Sequence, residues 1–386
     1  MISLFKSKDR NNLEKIDLFI FAAENSADLH GSNIIKELLS INPSLKISAV
    51  SGPLMREEKI DVIMEMEKFH VMGFIDVLLS IFKLIKNFFF LRKKILKLNP
   101  KACLFIDYPD FNLRLQKSLK KKGYKNRLIH FISTSIWAWR ENRKYFMEKY
   151  LDILITIFPF EKKYFSTTKL DVRYVSHPLF YKLKEIQTNP KENLVAIFPG
   201  SRSSEIKKNL PLQLNVAKRL LQDNENLKFL ISNSRPELIL PILNTLNLSK
   251  SSFELFSFKS NYEVMSKAAL AIATSGTITL ELGFHKVPTI VTFAISYLDL
   301  VLATKILKIK LPFYSIVNII MQKEVFIELF GPNFTFDNLY NSCKRLLFNE
   351  EAKRNAILGC EELKKSFEAI DSNKLSAKII LDNLKS

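Results

Sequence analysis

One pattern recurs along this chain and restricts its fold more than any other feature. A short apolar run ends in a turn of small or polar residues, and a helical period follows. Strand-like runs fall at Asp17–Ala23, Lys46–Val50, Ala102–Ile106, Leu128–Ile132 and Asp152–Ile157, with helical patterns at Gly31–Leu39, Phe74–Leu98 and Arg114–Lys121. Such alternation builds a parallel sheet covered by helices. It begins again at Leu194 and takes in Lys228–Ile231, Phe253–Leu255, Leu270–Ala273 and Thr289–Phe293, after a polar stretch, Gln187–Asn193, that reads as a linker. The chain has 386 residues, enough for two ordinary domains. The prediction is an α/β protein with two doubly wound, Rossmann-like domains, 16–186 and 192–386, facing a cleft. Ligands of such sheets bind beyond the carboxyl ends of the strands.

Two of the turns carry anion-binding chemistry. Ala271–Phe284 reads as a buried strand, then Ser275-Gly276-Thr277, then a helix. Backbone N–H groups at a helix start, with hydroxyls beside them, attract phosphate. Glu281, one turn past Thr277, is placed to accept hydrogen bonds from a diol such as ribose, or is an acidic residue near a capped helix start. Leu194–Glu205 repeats the arrangement through Gly200, Ser201 and Arg202. Arg202 either offers a forked donor to a diphosphate or pairs with Glu205. Only nine glycines occur in the chain and two sit in these turns, so backbone freedom or close approach is required there.

The first half supplies carboxylates. Asp107-Tyr108-Pro109-Asp110-Phe111-Asn112 follows the strand Ala102–Ile106. Asp107, directly after the strand, is the candidate general base toward a hydroxyl; Asp110 reads as a helix N-cap. Glu24 and Ser26 could face a sugar, with Ser26 or Asp28 alternatively capping the next helix. His30 and His177 read as structural. Trp137 and Trp139, beside Ser133, Thr134 and Ser135, suit either a carbohydrate or acyl-chain surface or core packing. No His/Asp cluster has metal-ligand spacing, so neither metal nor cofactor is expected.

The formal charge is +19 and the pI about 9.6, which favours anionic partners. Nucleic acid is disfavoured, because no fingerprint of an RNA- or DNA-binding module occurs. Phe74–Leu98 reads as an amphipathic helix, with Asp76, Ser80, Lys83 and Asn87 opposite Val77, Ile81, Leu84 and Phe88. Phe88, Phe89 and Phe90 load it with aromatic surface, and Arg92, Lys93, Lys94 and Lys97 follow. It either lies on an anionic membrane surface or packs against the sheet. Met1–Lys15 is too charged for a secretory signal and no run approaches a membrane span, so a cytoplasmic chain is expected. Cys103, Cys343 and Cys360 lack disulfide or zinc spacing.

Taken in order, several segments resemble the lipid-A-disaccharide synthase family of inverting, GT-B-type glycosyltransferases over nearly the whole chain. They are Glu24-Asn25-Ser26-Ala27-Asp28, Gly52-Pro53-Leu54-Met55, Val71-Met72-Gly73, Ile106–Asn112, Trp137-Ala138-Trp139, Phe158-Pro159-Phe160-Glu161, Pro199-Gly200-Ser201-Arg202, and Ser275-Gly276-Thr277 with Leu280-Glu281. The resemblance implies transfer of 2,3-diacylglucosamine from UDP-2,3-diacylglucosamine to the 6-hydroxyl of 2,3-diacylglucosamine 1-phosphate, releasing UDP. It places the family's catalytic aspartate on Asp107, its N-terminal glutamate on Glu24, its diphosphate-side arginine on Arg202 and its late UDP-contacting asparagine on Asn318. It also implies peripheral attachment to the inner face of the inner membrane. Ala23, Ala27 and Ser176 replace usual glycines, Thr134 and Val317 usual prolines, and Ala294 a usual arginine. Competing readings are another UDP-sugar enzyme of this fold and a basic membrane-binding protein with a degenerate transferase fold.

Overall fold

The computed structural model describes residues 15–69, 76–134, 136–137, 141–246, 252–295 and 311–385. The chain divides into two compact units, Met1–Pro178 with Ile370–Ser386, and Leu179–Ala369. Trp139 and Val71-Met72-Gly73 lie outside the described residues, as do the side chains of Asp76, Val77 and Ser80.

In the first unit the strands are β1 (Leu18–Phe21), β2 (Ile47–Ser51), β3 (Asp61–Glu65), β4 (Ala102–Ile106), β5 (Arg127–Phe131), β6 (Ile153–Thr156) and β7 (Asp171–Tyr174). They form one parallel sheet in the order β3-β2-β1-β4-β5-β6-β7. The helices are α1 (Asn25–Ile41), α2 (Pro53–Arg56), α3 (Asp76–Leu98), α4 (Pro109–Lys121), α5 (Arg143–Tyr150), α6 (Glu161–Tyr164) and α7 (Pro178–Leu183), the last beginning where the units divide. Central strands are apolar throughout, as in Leu-Phe-Ile-Phe of β1 and Ala-Cys-Leu-Phe-Ile of β4, because helices cover both faces. Ile20, Leu104 and Ile129 meet α1 on one face; Phe19, Phe105 and Leu128 meet α3 and α4 on the other.

The second unit repeats the plan with β8 (Lys191–Phe198), β9 (Lys228–Ser232), β10 (Phe253–Phe256), β11 (Ala268–Thr274), β12 (Thr289–Phe293) and β13 (Ile327–Phe330), and with α8 (Ser203–Asp223), α9 (Pro236–Thr245), α10 (Asn261–Lys267) and α11 (Thr277–Phe284). The strand order is β10-β9-β8-β11-β12-β13, again all parallel. In each sheet the order reverses once, beside β1 and β4 in the first and β8 and β11 in the second. Those reversals are the switch points at which doubly wound sheets bind ligands.

The domain division differs from the expected one. It falls at Pro178 rather than in Gln187–Asn193, and the C-terminal segment belongs to the first unit rather than the second. The reason is packing: the helix Ser372–Asp382 buries Ala377, Ile379 and Ile380, and Leu384 beyond it, in one core with Ile34, Ile35 and Leu38 of α1. Burial at about 25 cal/mol per Å² of apolar surface is ample reason for the chain to return. Lys191 already belongs to β8, so the polar stretch is partly strand.

Candidate active site

Glu24 and Asp107 follow β1 and β4, the two strands of the first switch point, and both line a groove of about 790 Å³. Glu24 is the exposed residue that opens α1. Asp107 is half-buried, and burial first, then the neighbouring Glu24 charge, push its carboxyl pKa up, against a backbone N–H bond from Tyr108 that lowers it. Such a carboxylate is a stronger base than a solvated one. Asp110 also lines the groove, but it sits in the first turn of α4 and is no N-cap; its carboxylate pairs with Arg143 at 2.5 Å. Arg143 in turn donates to the Thr134 hydroxyl at 3.1 Å.

Apart from Arg114, the rest of the groove is largely apolar. Ile81, Leu84, Ile85, Phe88 and Phe89 of α3 form one wall, and Tyr108, Pro109 and Phe111 continue it. α3 does not present the expected faces. Asn87, assigned to the polar side, is buried and donates to the Lys68 carbonyl at 3.2 Å, in line with buried Leu91 and Ile95. Ile81, Phe82, Ile85, Phe89 and Phe90 are exposed instead, Phe82 to 70%. Exposed apolar groups in this number mark a contact surface. Arg92 lies over the Phe89 ring at 4.8 Å and donates to Ser118, while Lys93 is exposed.

Ser26 is exposed on the first turn of α1, and Trp137 stands edge-on to Phe160 with ring centres 5.9 Å apart; neither lines this groove. Asp28 caps nothing on its own helix. It is buried and accepts the N–H groups of Gly52, Leu54 and Met55 at 2.9, 2.8 and 3.1 Å, so a negative charge sits at the start of α2. Burial lowers the pKa of His30 to about 4 and, together with His30, that of His177 to about 3. Both rings are therefore neutral at neutral pH.

In the second unit the two glycine turns come together. Gly200, Ser201, Arg202 and Glu205 line a groove of about 390 Å³ with Ser234, Ser275, Gly276 and Thr277. Gly200 has φ +105°, and a Cβ there would come within 2.7 Å of a Glu205 carboxylate oxygen. The Glu205 carboxylate accepts the N–H groups of Ser201 and Arg202, both at 3.2 Å, and takes the Arg202 guanidinium at 2.9 Å. The Arg202 side chain is nonetheless 80% exposed. α11 starts at Thr277 without a side-chain cap, so its first N–H groups have no internal side-chain acceptor beside the groove.

Two further expected nucleotide contacts, Glu281 and Asn318, are not among the lining residues of this groove. Glu281 is half-buried with Tyr262 and Lys182; burial raises its pKa to about 7, and those two neighbours oppose the rise. Asn318 is fully buried. Its carboxamide donates to the Phe326 carbonyl and to Glu328, both at 2.8 Å, and accepts from the N–H groups of Val325 at 2.8 Å and Phe326 at 2.9 Å. It clamps the approach to β13 and has no spare donor. Asn209 was not singled out in the sequence, yet it donates to Thr274 and accepts the Ala294 N–H at 2.7 Å. Its signal was a pair of polar residues, Asn209 and Gln213, at helical spacing on the buried face of α8. Among the described residues no three His, Cys, Asp or Glu side chains gather as a metal site.

A two-unit parallel α/β architecture with a groove at each switch point is that of GT-B glycosyltransferases and related epimerases. The calicheamicin glycosyltransferase CalG4 matches 96% of this chain over 99% of its own, with a TM-score of 0.59 at 11% identity. The UDP-GlcNAc 2-epimerase of Neisseria meningitidis, bound to UDP-GlcNAc, matches 95% over 99% of its own, with a TM-score of 0.58 at 14% identity. Those likenesses show the fold. The chain belongs to the lipid-A-disaccharide synthetase family, whose profile matches residues 18–380. Lipid-A-disaccharide synthases from Chlamydia felis and Coxiella burnetii are 35% and 29% identical to it, each over 94% of this chain. The chain spans 60% of the chlamydial protein and 97% of the Coxiella one. Among the described residues, no helix is long and apolar enough to cross a membrane.

Proposed function

We propose that the chain transfers 2,3-diacylglucosamine from UDP-2,3-diacylglucosamine to 2,3-diacylglucosamine 1-phosphate, forming a β-1,6-linked disaccharide 1-phosphate with release of UDP. The observation that carries this is the first-unit groove, where a carboxylate of raised pKa stands beside a second carboxylate and under an aliphatic and aromatic wall. An aliphatic and aromatic wall of this kind gives acyl chains apolar surface to bury. Family membership and the polar second-unit groove support the same reading.

In this mechanism Asp107 takes the proton of the acceptor 6-hydroxyl as its oxygen attacks the anomeric carbon of the donor from the face opposite UDP. The carbon–oxygen bond to the diphosphate breaks and the configuration inverts. Glu24 holds the acceptor hydroxyl toward Asp107, and Ser26, exposed two residues on in the first turn of α1, is assigned to the acceptor from outside the groove lining. The first N–H groups of α11, with Ser201, Ser275 and Thr277, stabilise the departing diphosphate, and Arg202 swings from Glu205 to join them. Glu281 is assigned to the ribose diol by its place one turn past Thr277; Asn318 serves the fold. The exposed side of α3, with Arg92, Lys93 and Trp137, meets the acyl chains and an anionic membrane surface at the inner face of the inner membrane.

The test is to supply both acylated substrates in detergent and follow UDP release and product mass. Acceptor-dependent release with the disaccharide mass is expected. UDP binding without disaccharide, or turnover of unacylated UDP-sugars instead, would defeat the proposal.

A further inference from the structure

β4 is followed by two consecutive residues with side chains in the left-handed region, Asp107 at φ 48° and Tyr108 at φ 49°. For an ordinary residue that conformation costs about 1–2 kcal/mol each. The turn persists only if its surroundings determine it. Sheet pairing supplies one restraint, since the Asp107 N–H donates to the Phe131 carbonyl at 2.9 Å. Aromatic packing supplies another, with the Tyr108 ring among those of Phe21, Phe69 and Phe111.

The third restraint is a single side chain. Asn112 is fully buried on α4, and its own N–H donates to the Tyr108 carbonyl at 3.1 Å. Its carboxamide nitrogen reaches back across the turn, donating to the Asp107 carbonyl at 2.6 Å and to the Ile106 carbonyl at 3.4 Å. The hydrogen bonds donated by this side chain therefore go to the last strand carbonyl and to the carbonyl of the proposed base itself. Its oxygen has no hydrogen-bond partner among the described residues. A side chain kept for stability alone would gain more by satisfying that oxygen.

We propose that Asn112 is a positioning residue for glycosyl transfer: by holding the carbonyls of Ile106 and Asp107 it fixes the left-handed turn that presents the Asp107 carboxylate to the groove. This rests on the transfer reading above. Without the two donated bonds the turn relaxes toward an ordinary backbone region, and the carboxylate leaves its line to the acceptor hydroxyl. A displacement of about 1 Å is enough to cost a reaction about 10²-fold.

The test compares Asn112→Ala and Asn112→Asp with the wild-type enzyme. Asn112→Asp keeps the shape and removes the donor hydrogens. Both are expected to lose about 10²-fold in kcat, with KM for each substrate and the affinity for UDP within about twofold. A folded variant with wild-type kcat, or one whose KM values rise in step with the loss, would overturn the proposal. If neither variant folds, the wild-type protein decides. Slow hydrogen exchange at the Asn112 carboxamide supports it, and exchange at the rate of a solvated amide contradicts it. A wild-type protein that makes no disaccharide defeats the transfer reading instead, and the exchange measurement still reports on the turn.

Discussion

The two units close their switch-point strands differently. β4 leads into Asp107 and Tyr108, which carry side chains into left-handed backbone and are held there by Asn112. β8 leads into Gly200, which adopts φ +105° without a Cβ and closes against the Glu205 carboxylate. In the proposed reaction the first turn delivers a carboxylate, and its left-handed backbone is accompanied by a buried amide that bonds its carbonyls. The second offers N–H groups, hydroxyls and an exposed guanidinium paired with Glu205, and glycine suffices. The grooves differ accordingly: one is acidic within an apolar wall, the other polar and lined by helix starts. On the proposed reading, the same topology takes on acid–base work in one unit and anion binding in the other through a few residues at the strand ends.

Among substitutions that leave Asp107 in place, the comparison is probed first at Glu24. Glu24→Gln is expected to lower turnover about 10–100-fold, the worth of a charged hydrogen bond to the acceptor. Its pH profile sharpens the point. Asp107 must be ionised to act and its pKa is raised, so activity is lost as pH falls through that raised value. Removing the Glu24 charge lowers the Asp107 pKa, and the acid limb of kcat/KM moves to lower pH; a limb that stays put or moves up would remove the electrostatic coupling.

Gly200→Ala comes next. The added Cβ meets the Glu205 carboxylate and Cβ at 2.7 and 2.9 Å at an unfavourable φ, so stability is expected to fall by about 1–3 kcal/mol in chemical denaturation. UDP affinity should weaken with it, because the turn that carries Ser201 and Arg202 shifts. Wild-type stability and affinity would mean that glycine is not required there.

The smallest effect has the opposite sign. Ser176 is left-handed at φ 67°, fully buried, and its hydroxyl has no hydrogen-bond partner among the described residues. It stands where the family resemblance calls for glycine, and the backbone shows why. Ser176→Gly is expected to stabilise by about 1 kcal/mol, the relief of strain exceeding the entropy cost of glycine. Calorimetry should show a melting temperature about 2–4 °C higher, and a lower one would mean the serine is held by a favourable contact.

Much of this was legible in the chain. Ala102–Ile106 and Thr289–Phe293 are strands with the bounds their apolar runs suggest, because both lie inside a sheet covered on both faces. β3, β7 and β13 were not, since Asp-Val-Ile-Met-Glu, Asp-Val-Arg-Tyr and Ile-Glu-Leu-Phe are short and half-exposed at or near sheet edges and carry charges within them. Helix starts ran late for a similar reason, as α1 and α4 begin in polar turns at Asn25 and Pro109. The turns at Asp107, Gly200 and Gly276 announced themselves by residue type beside a strand. What polar side chains do after folding was less readable. Asp28 and Asn318 looked like a cap and a ligand contact, yet both bind backbone N–H groups that only the tertiary fold brings near. Asn87 shared a helical face with Lys83, but the buried stripe of α3 runs through Asn87, Leu91 and Ile95.

The most direct test of the division of labour between the units is Asp107→Asn, assayed for disaccharide formation and titrated with UDP in parallel. Loss of turnover by about 10²–10⁴-fold with UDP affinity essentially unchanged is the expected result. Disaccharide made at the wild-type rate, or UDP binding lost in a folded protein, would contradict it.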